Sequence, residues 1–193
     1  RHSELSDTYR EKANVYLNID QYASAIRNYE LSLSIEHQII PKRYNVLSNL
    51  FISLANCQKG LKQYDAALEY FQQYLDIYPL LKNQDPYYSA YYMSEIGSAF
   101  ELKKEFNKAK EILEESSKIL ISIKKENDPL HAYIQYSLGK IFLVLNNYDA
   151  AINCFITAVN IQNTHQFESI DVGIYQFNLG RAYLLNNNYQ ASI

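Results

Sequence analysis

Five side chains recur in one register along the sequence: Asn14, Asn56, Ser98, Lys140 and Arg181, separated by 42, 42, 42 and 41 residues. The first three carry amide or hydroxyl groups that can hydrogen-bond a peptide backbone, and the last two are cations. An arginine holds a carboxylate through two parallel hydrogen bonds, so the chemistry that Lys140 and Arg181 suit is that of a carboxylate-bearing group. Residues suited to catalysis are present but not arranged for it. The four histidines, His2, His37, His131 and His165, form no i, i+4 pair and have no cysteine or carboxylate cluster beside them, so no metal site is expected. No Gly-x-Ser-x-Gly, Gly-x-Gly-x-x-Gly or phosphate loop occurs. Cys57 reads as a small buried hydrophobe, and Cys154 as a more exposed thiol with nothing nearby to lower its pKa. Glu114-Glu115 and Lys124-Lys125 read as solvated helix surface. The expectation is a binding protein that is not an enzyme and needs no cofactor.

The elements that must position the ladder repeat with it. Tyr22, Tyr64, Phe106, Tyr148 and Tyr189 stand at steps of 42, 42, 42 and 41, each opening a segment with a small residue three positions on. A fixed period of this length, each period reading as two helices, predicts an all-α solenoid of antiparallel helix pairs, about four and a half repeats long. The repeats fall at about 4–40, 44–82, 86–125, 129–165 and 169–193, the last incomplete. Each has a first helix (A), a tight turn and a second helix (B). One column is small throughout, Ala13, Ala55, Gly97, Gly139 and Gly180, where A and B should approach most closely. A second is also small, Ala25, Ala67, Ala109, Ala151 and Ser192, and a third is large, Tyr29, Phe71, Leu113 and Phe155. Small opposite large at fixed offsets is what close packing of helices requires. Asp85-Pro86 and Asp128-Pro129 predict capped helix starts. Gly60-Leu61-Lys62 predicts the second A-to-B turn. The fifth A helix is expected to stop near Leu185, leaving the apolar residues Tyr183, Leu184 and Leu185 without a complete partner helix.

Composition narrows the partners. With 193 residues and a net charge of −3, the chain gives no reason to expect nucleic acid or an anionic membrane. Nineteen tyrosines and no tryptophan favour surfaces that are apolar in body and polar at the tip. No apolar run reaches the length of a membrane span, and no signal pattern opens the chain. Two cysteines in different repeats and no glycosylation sequon predict a reducing, cytoplasmic setting. The register continues from end to end, which predicts one continuous stack over 1–193, read as a piece of a longer protein. Its open ends would allow oligomerisation.

The segment Leu138-Gly139-x-x-Phe142 followed by Tyr148-x-x-Ala151-x-x-x-Phe155-x-x-Ala158 resembles the tetratricopeptide repeat. The period of 42 exceeds that family's usual 34, and this longer variety is similar to kinesin light chains and to bacterial peptide-pheromone receptors of the Rap and PlcR type. Lys12, Gln58 and Leu113 depart from the motif, and among the repeat ends only Pro79 matches the closing proline. The resemblance implies a concave groove lined by the A helices. Its ligand-facing positions here include Asn14, Asn49, Asn56, Lys59, Tyr91 and Ser98, then Tyr133, Tyr136, Lys140, Phe177 and Arg181, with Asp7, Arg10 and Glu101 among their neighbours. It implies an interaction module holding a peptide segment of a partner protein, or alternatively a pheromone-responsive regulatory domain.

Overall fold

The structure is a computed structural model describing residues 2–81, 85–164 and 170–190. Among these residues are nine α-helices, a short 3₁₀ turn Tyr78–Leu80 and no strand. The chain divides into two compact bodies, Arg1–Gln84 and Asp85–Ile193. The first holds α1 (His2–Asn18), α2 (Tyr22–Glu36), α3 (Tyr44–Gly60) and α4 (Tyr64–Ile77). The second holds α5 (Pro86–Leu102), α6 (Phe106–Ser122), α7 (Pro129–Val144), α8 (Tyr148–Thr164) and α9 (Ile170–Gln190).

Odd-numbered helices are the A helices and even-numbered ones the B helices, paired antiparallel as the columns require. In the first body Ser6, early in α1, bonds Ser32 late in α2 at 2.9 Å, while the Tyr29 hydroxyl donates to Asn14 Oδ1 at 2.6 Å. In the second, Ser116 of α6 donates to the Ala90 carbonyl at 2.6 Å, and Leu113 packs where a Cβ on Gly97 would lie 2.6 Å away. The large column is fully buried: Tyr29, Leu113 and Phe155 at 0% and Phe71 at 1% exposure. Its small partners Ala25, Ala67, Ala109 and Ala151 are at 0%. Asp85 and Asp128 cap α5 and α7 through the backbone N–H groups of Tyr87 and Leu130, with proline opening each helix. The longer period appears as long helices, A helices of 16 or 17 residues and B helices of 14 to 17 in the four complete hairpins.

Every A-to-B turn in those hairpins uses a non-glycine residue in the left-handed region: Asp20, Lys62, Lys104 and Asn146, with φ between 56° and 64°. Each repeats the same pair of hydrogen bonds, in the second hairpin Lys62 N–H to Lys59 C=O and Gln63 N–H to Gln58 C=O, both 2.9 Å. This 5→2 and 6→1 pattern satisfies the last carbonyls of the A helix. Lys124 makes the same motif between α6 and α7. The second turn falls within the expected Gly60-Leu61-Lys62, with Lys62 rather than the glycine taking the left-handed backbone. Gly60 is the last helical residue of α3, and it is small because a Cβ there would stand 2.7 Å from the Tyr22 ring. Left-handed backbone costs an L side chain about 1–2 kcal/mol, offset by the extra unfolded-state freedom of glycine, about 0.4–1 kcal/mol. Lys104→Gly should consequently stabilise the chain by about 0.5–1 kcal/mol. A urea titration should show a higher midpoint at an unchanged slope, and a lower midpoint would refute the assignment.

One boundary differs from expectation. α9 continues unbroken to Gln190 rather than ending near Leu185. In the complete hairpins a buried B helix holds the turn in place; here Asn187, in register with the turn residue Asn146, stays helical. Residues 191–193 lie outside the described part.

Candidate functional site in the C-terminal body

Helices α5, α7 and α9 lie beside one another in the second body, and their C-terminal halves enclose a pocket of about 310 Å³. Its polar lining is Glu101, Lys140, Asn178 and Arg181, and its apolar floor includes Ile141, Val144 and Leu185. Lys140 and Arg181, expected to project into one concavity, do line the same pocket. Their electrostatic situations differ. Lys140 Nζ lies 2.6 Å from Glu101 Oε1 and 5.1 Å from the centre of the Tyr136 ring. Arg181 is exposed and has no ion-pair partner among the described residues. One carboxylate and two cations leave the pocket with a net positive charge.

Tyr136 is held by aromatic packing. Its ring stacks on Tyr175 at 4.6 Å and tilts against Phe155 at 5.9 Å, and its hydroxyl accepts from Asn178 Nδ2 at 3.5 Å. A ring fixed on both sides gives Lys140 a defined seat. The Lys140–Glu101 pair is partly open to water, at 33% and 20% side-chain exposure, where an ion pair contributes at most about 1 kcal/mol. An incoming carboxylate can therefore compete for it.

The other expected groove residues are placed variously. Tyr133 is half-buried against the core of α5, α6 and α7, Ser98 is half-buried, and Phe177 is 72% exposed. Tyr91, 38% exposed, joins a tyrosine cluster, edge-on to Tyr92 at 5.2 Å, which in turn stacks with Tyr88. Burial, then Glu95, push the Tyr91 phenol up, keeping it a neutral hydrogen-bond donor. In the first body Asn14 and Asn49 are exposed, and Lys59 and Asn56 are half-buried. The Asn56 Oδ1 is shielded from solvent and has no hydrogen-bond partner. Asp7 and Arg10 pair with each other at 3.1 Å, and Asp7 also meets Arg43.

Two polar clusters were not foreseen. Glu36 is fully buried, accepts from Ser6 and is bracketed by the Arg43 guanidinium, with Nε donating to Oε2 at 3.0 Å. Its hydrogen bonds, with Asp7 adding to them, hold Arg43 above its ordinary pKa. In α7 the buried His131 Nδ1 donates to the Glu126 carbonyl at 2.6 Å, leaving Nε2 to accept from Ser117 or Gln135. His165 lies outside the described residues. Both cysteines are free, and burial pushes each thiol up to about 11, with Glu114 adding to the effect at Cys154. Among the described residues no His, Cys, Asp or Glu side chains converge as metal ligands.

Family models described as tetratricopeptide repeat match residues 4–79 and 132–165. The chain is a tetratricopeptide repeat protein. No curated protein sequence matches it. Among solved structures, BtubC (BKLC) from P. vanneervenii is similar at 19% identity with a TM-score of 0.81, the match covering 98% of this chain and 76% of that one. A putative kinesin light chain of Podosopora anserina with nearly identical TPR-like repeats matches at 21% identity and TM-score 0.74, over 99% and 90%. The apo form of RapI matches at 17% and 0.84, over 96% and 65%. Tetratricopeptide repeats serve as protein-interaction scaffolds and in general carry no chemistry of their own. No described helix of this tetratricopeptide repeat chain is long and apolar enough to cross a membrane.

Proposed function

We propose that the chain is an interaction module that holds an extended, carboxylate-bearing segment of a partner protein against the A helices of the C-terminal body. The observation that carries this reading is the pocket in which exposed Arg181 faces the Lys140–Glu101 pair above an apolar floor. Arg181 supplies the bidentate grip, Lys140 turns from Glu101 toward the ligand, and Phe177 and Tyr136 cover apolar side chains flanking the acidic group. In the N-terminal body Asn14 and Asn49, both exposed, and the half-buried Lys59 are the groups that the same reading assigns to a polypeptide ligand.

Selection of a random peptide library on the chain tests this. Enriched peptides should carry Asp, Glu or a free C-terminus next to apolar residues, and their binding should weaken as salt is raised. Loss of a charge-assisted pair costs about 1.5–3 kcal/mol, so Arg181→Ala should weaken binding about 10- to 100-fold. Lys140→Ala should do less, because Lys140 already has a partner. Peptides without acidic enrichment, or full affinity in the Lys140→Ala, Arg181→Ala double variant, would rule the reading out.

A further inference from the structure

Phe106, at the start of α6, borders the pocket of Lys140 and Arg181 and also a second, shallower depression of about 310 Å³ formed with Lys104, Glu105, Lys108 and Leu145. Val144 lines the first and Leu145 the second, and these sequence neighbours are 53% and 39% exposed. An apolar bridge therefore joins two polar sites. The far site is basic: Lys103 and Lys108 share Glu105, each at 2.7 Å, while Lys104 is exposed and has no ion-pair partner among the described residues. Packing does not call for these cations. In the 42-residue register Lys103 corresponds to Ile19, Leu61 and Leu145, Lys104 to Asp20, Lys62 and Asn146, and Lys108 to Ser24, Ala66 and Ala150. The other three turns keep the same backbone and the same hydrogen bonds without a cluster of lysines. The depression also belongs wholly to the turns of α5–α6 and α7–α8, hairpins in which each helix already has its partner.

We propose that the partner segment held at Arg181 continues over Phe106, Val144 and Leu145 and sets a second acidic residue at Lys104 and Lys108, so that the partner is recognised by two acidic residues flanking an apolar one. The inference rests on the carboxylate reading of the Arg181 pocket and adds a second subsite to it. Charge complementarity selects the occupant. Cations stand at both ends of the bridge, and the carboxylates beside them, Glu101 and Glu105, are each already paired with lysine. An extended segment rises about 3.3 Å per residue and can lay an apolar side chain on the bridge with acidic ones beyond either end. Lys104 binds without giving up a partner, and Lys108 can turn from Glu105, which keeps Lys103. Exposed pairs of this kind are individually weak, so the second subsite selects among acidic segments more than it tightens them.

Selection of one random peptide library on three chains tests this: wild type, the Lys104→Gly, Lys108→Ala double variant, and Arg181→Ala. Glycine suits the left-handed backbone at position 104, and Glu105 keeps Lys103 when Lys108 is lost, so the double variant retains the fold. Peptides enriched on wild type should carry two acidic positions at a fixed spacing with an apolar residue between them. The lysine variant should keep one acidic position and lose the other, and Arg181→Ala should lose the opposite one. In a fluorescein-labelled peptide enriched on wild type, replacing the second acidic residue by its amide should weaken binding about 3- to 10-fold, with no effect on the lysine variant. A single acidic position, sensitive to Arg181→Ala and indifferent to loss of the lysines, would overturn the inference and leave the pocket reading standing. Acidic enrichment that survives Arg181→Ala unchanged, or no acidic enrichment at all, would overturn both.

Discussion

Phe155→Ala should lower the unfolding free energy by roughly 3–5 kcal/mol, the range for emptying a buried aromatic site. The ring is at 0% exposure and packs among Leu143, Ala151, Ile152 and Ala182. It also lies directly over Gly139, where even an alanine Cβ would intrude on it. Truncation therefore opens a cavity that no neighbour is free to fill, since the glycine beneath has no side chain to move. The reverse error, Gly139→Leu, should destabilise by about 1–3 kcal/mol or more through overpacking. The two changes made together should cost less than their sum, because the new leucine occupies space that the phenylalanine vacated. Urea titrations of the three variants measure all of this. Wild-type midpoints for both single variants, or simple additivity in the double, would mean that these residues do not face each other.

The small and large columns were legible in the sequence because packing leaves a periodic trace. Gly139 opposite Phe155 and Gly97 opposite Leu113 are constraints that recur every 42 residues, so each repeat corroborates the next. Turn chemistry was less visible. Asp20, Lys62, Lys104 and Asn146 also recur at 42 residues, but three residue types share the site and none is glycine, so the sequence placed the second turn at Gly60-Leu61-Lys62 without marking Lys62 as its left-handed residue. At the candidate site, the register placed Lys140 and Arg181 in one pocket without indicating that Glu101 would claim Lys140. Glu101 and Lys140 are 39 residues apart, off the repeat step, and such a contact depends on how neighbouring A helices are offset. Asn178 left no sequence signal, as its counterpart one repeat earlier is the buried Ser137. The course of α9 beyond Leu185 was missed because Asn187 stands in register with the turn residue Asn146, yet stays helical.

Arg43→Met should cost about 3–5 kcal/mol, toward the lower figure, because it leaves Glu36 buried without its cation. One signal of this pair was present in the sequence: Glu36 falls seven residues after Tyr29, on the face of α2 that is otherwise core, and a carboxylate there demands a partner. Arg43 meets it with Nε and a terminal nitrogen on the two carboxylate oxygens, while Ser6 donates to the same group and Asp7 steadies the outer side of the guanidinium. The arrangement ties α1 and α2 to the start of α3, so its loss should be felt across the first two repeats. The lower figure applies because the Arg43 side chain is 30% exposed, and water can reach part of the vacated site. Ser6 alone cannot replace two charged hydrogen bonds. Glu36→Gln combined with Arg43→Met should recover much of the loss, because it removes the unpaired charge at nearly constant volume. Thermal melts of the single and double variants read the loss and its recovery. An Arg43→Met deficit that is not rescued by Glu36→Gln would mean that Arg43 stabilises the fold through the packing of its stem rather than its charge.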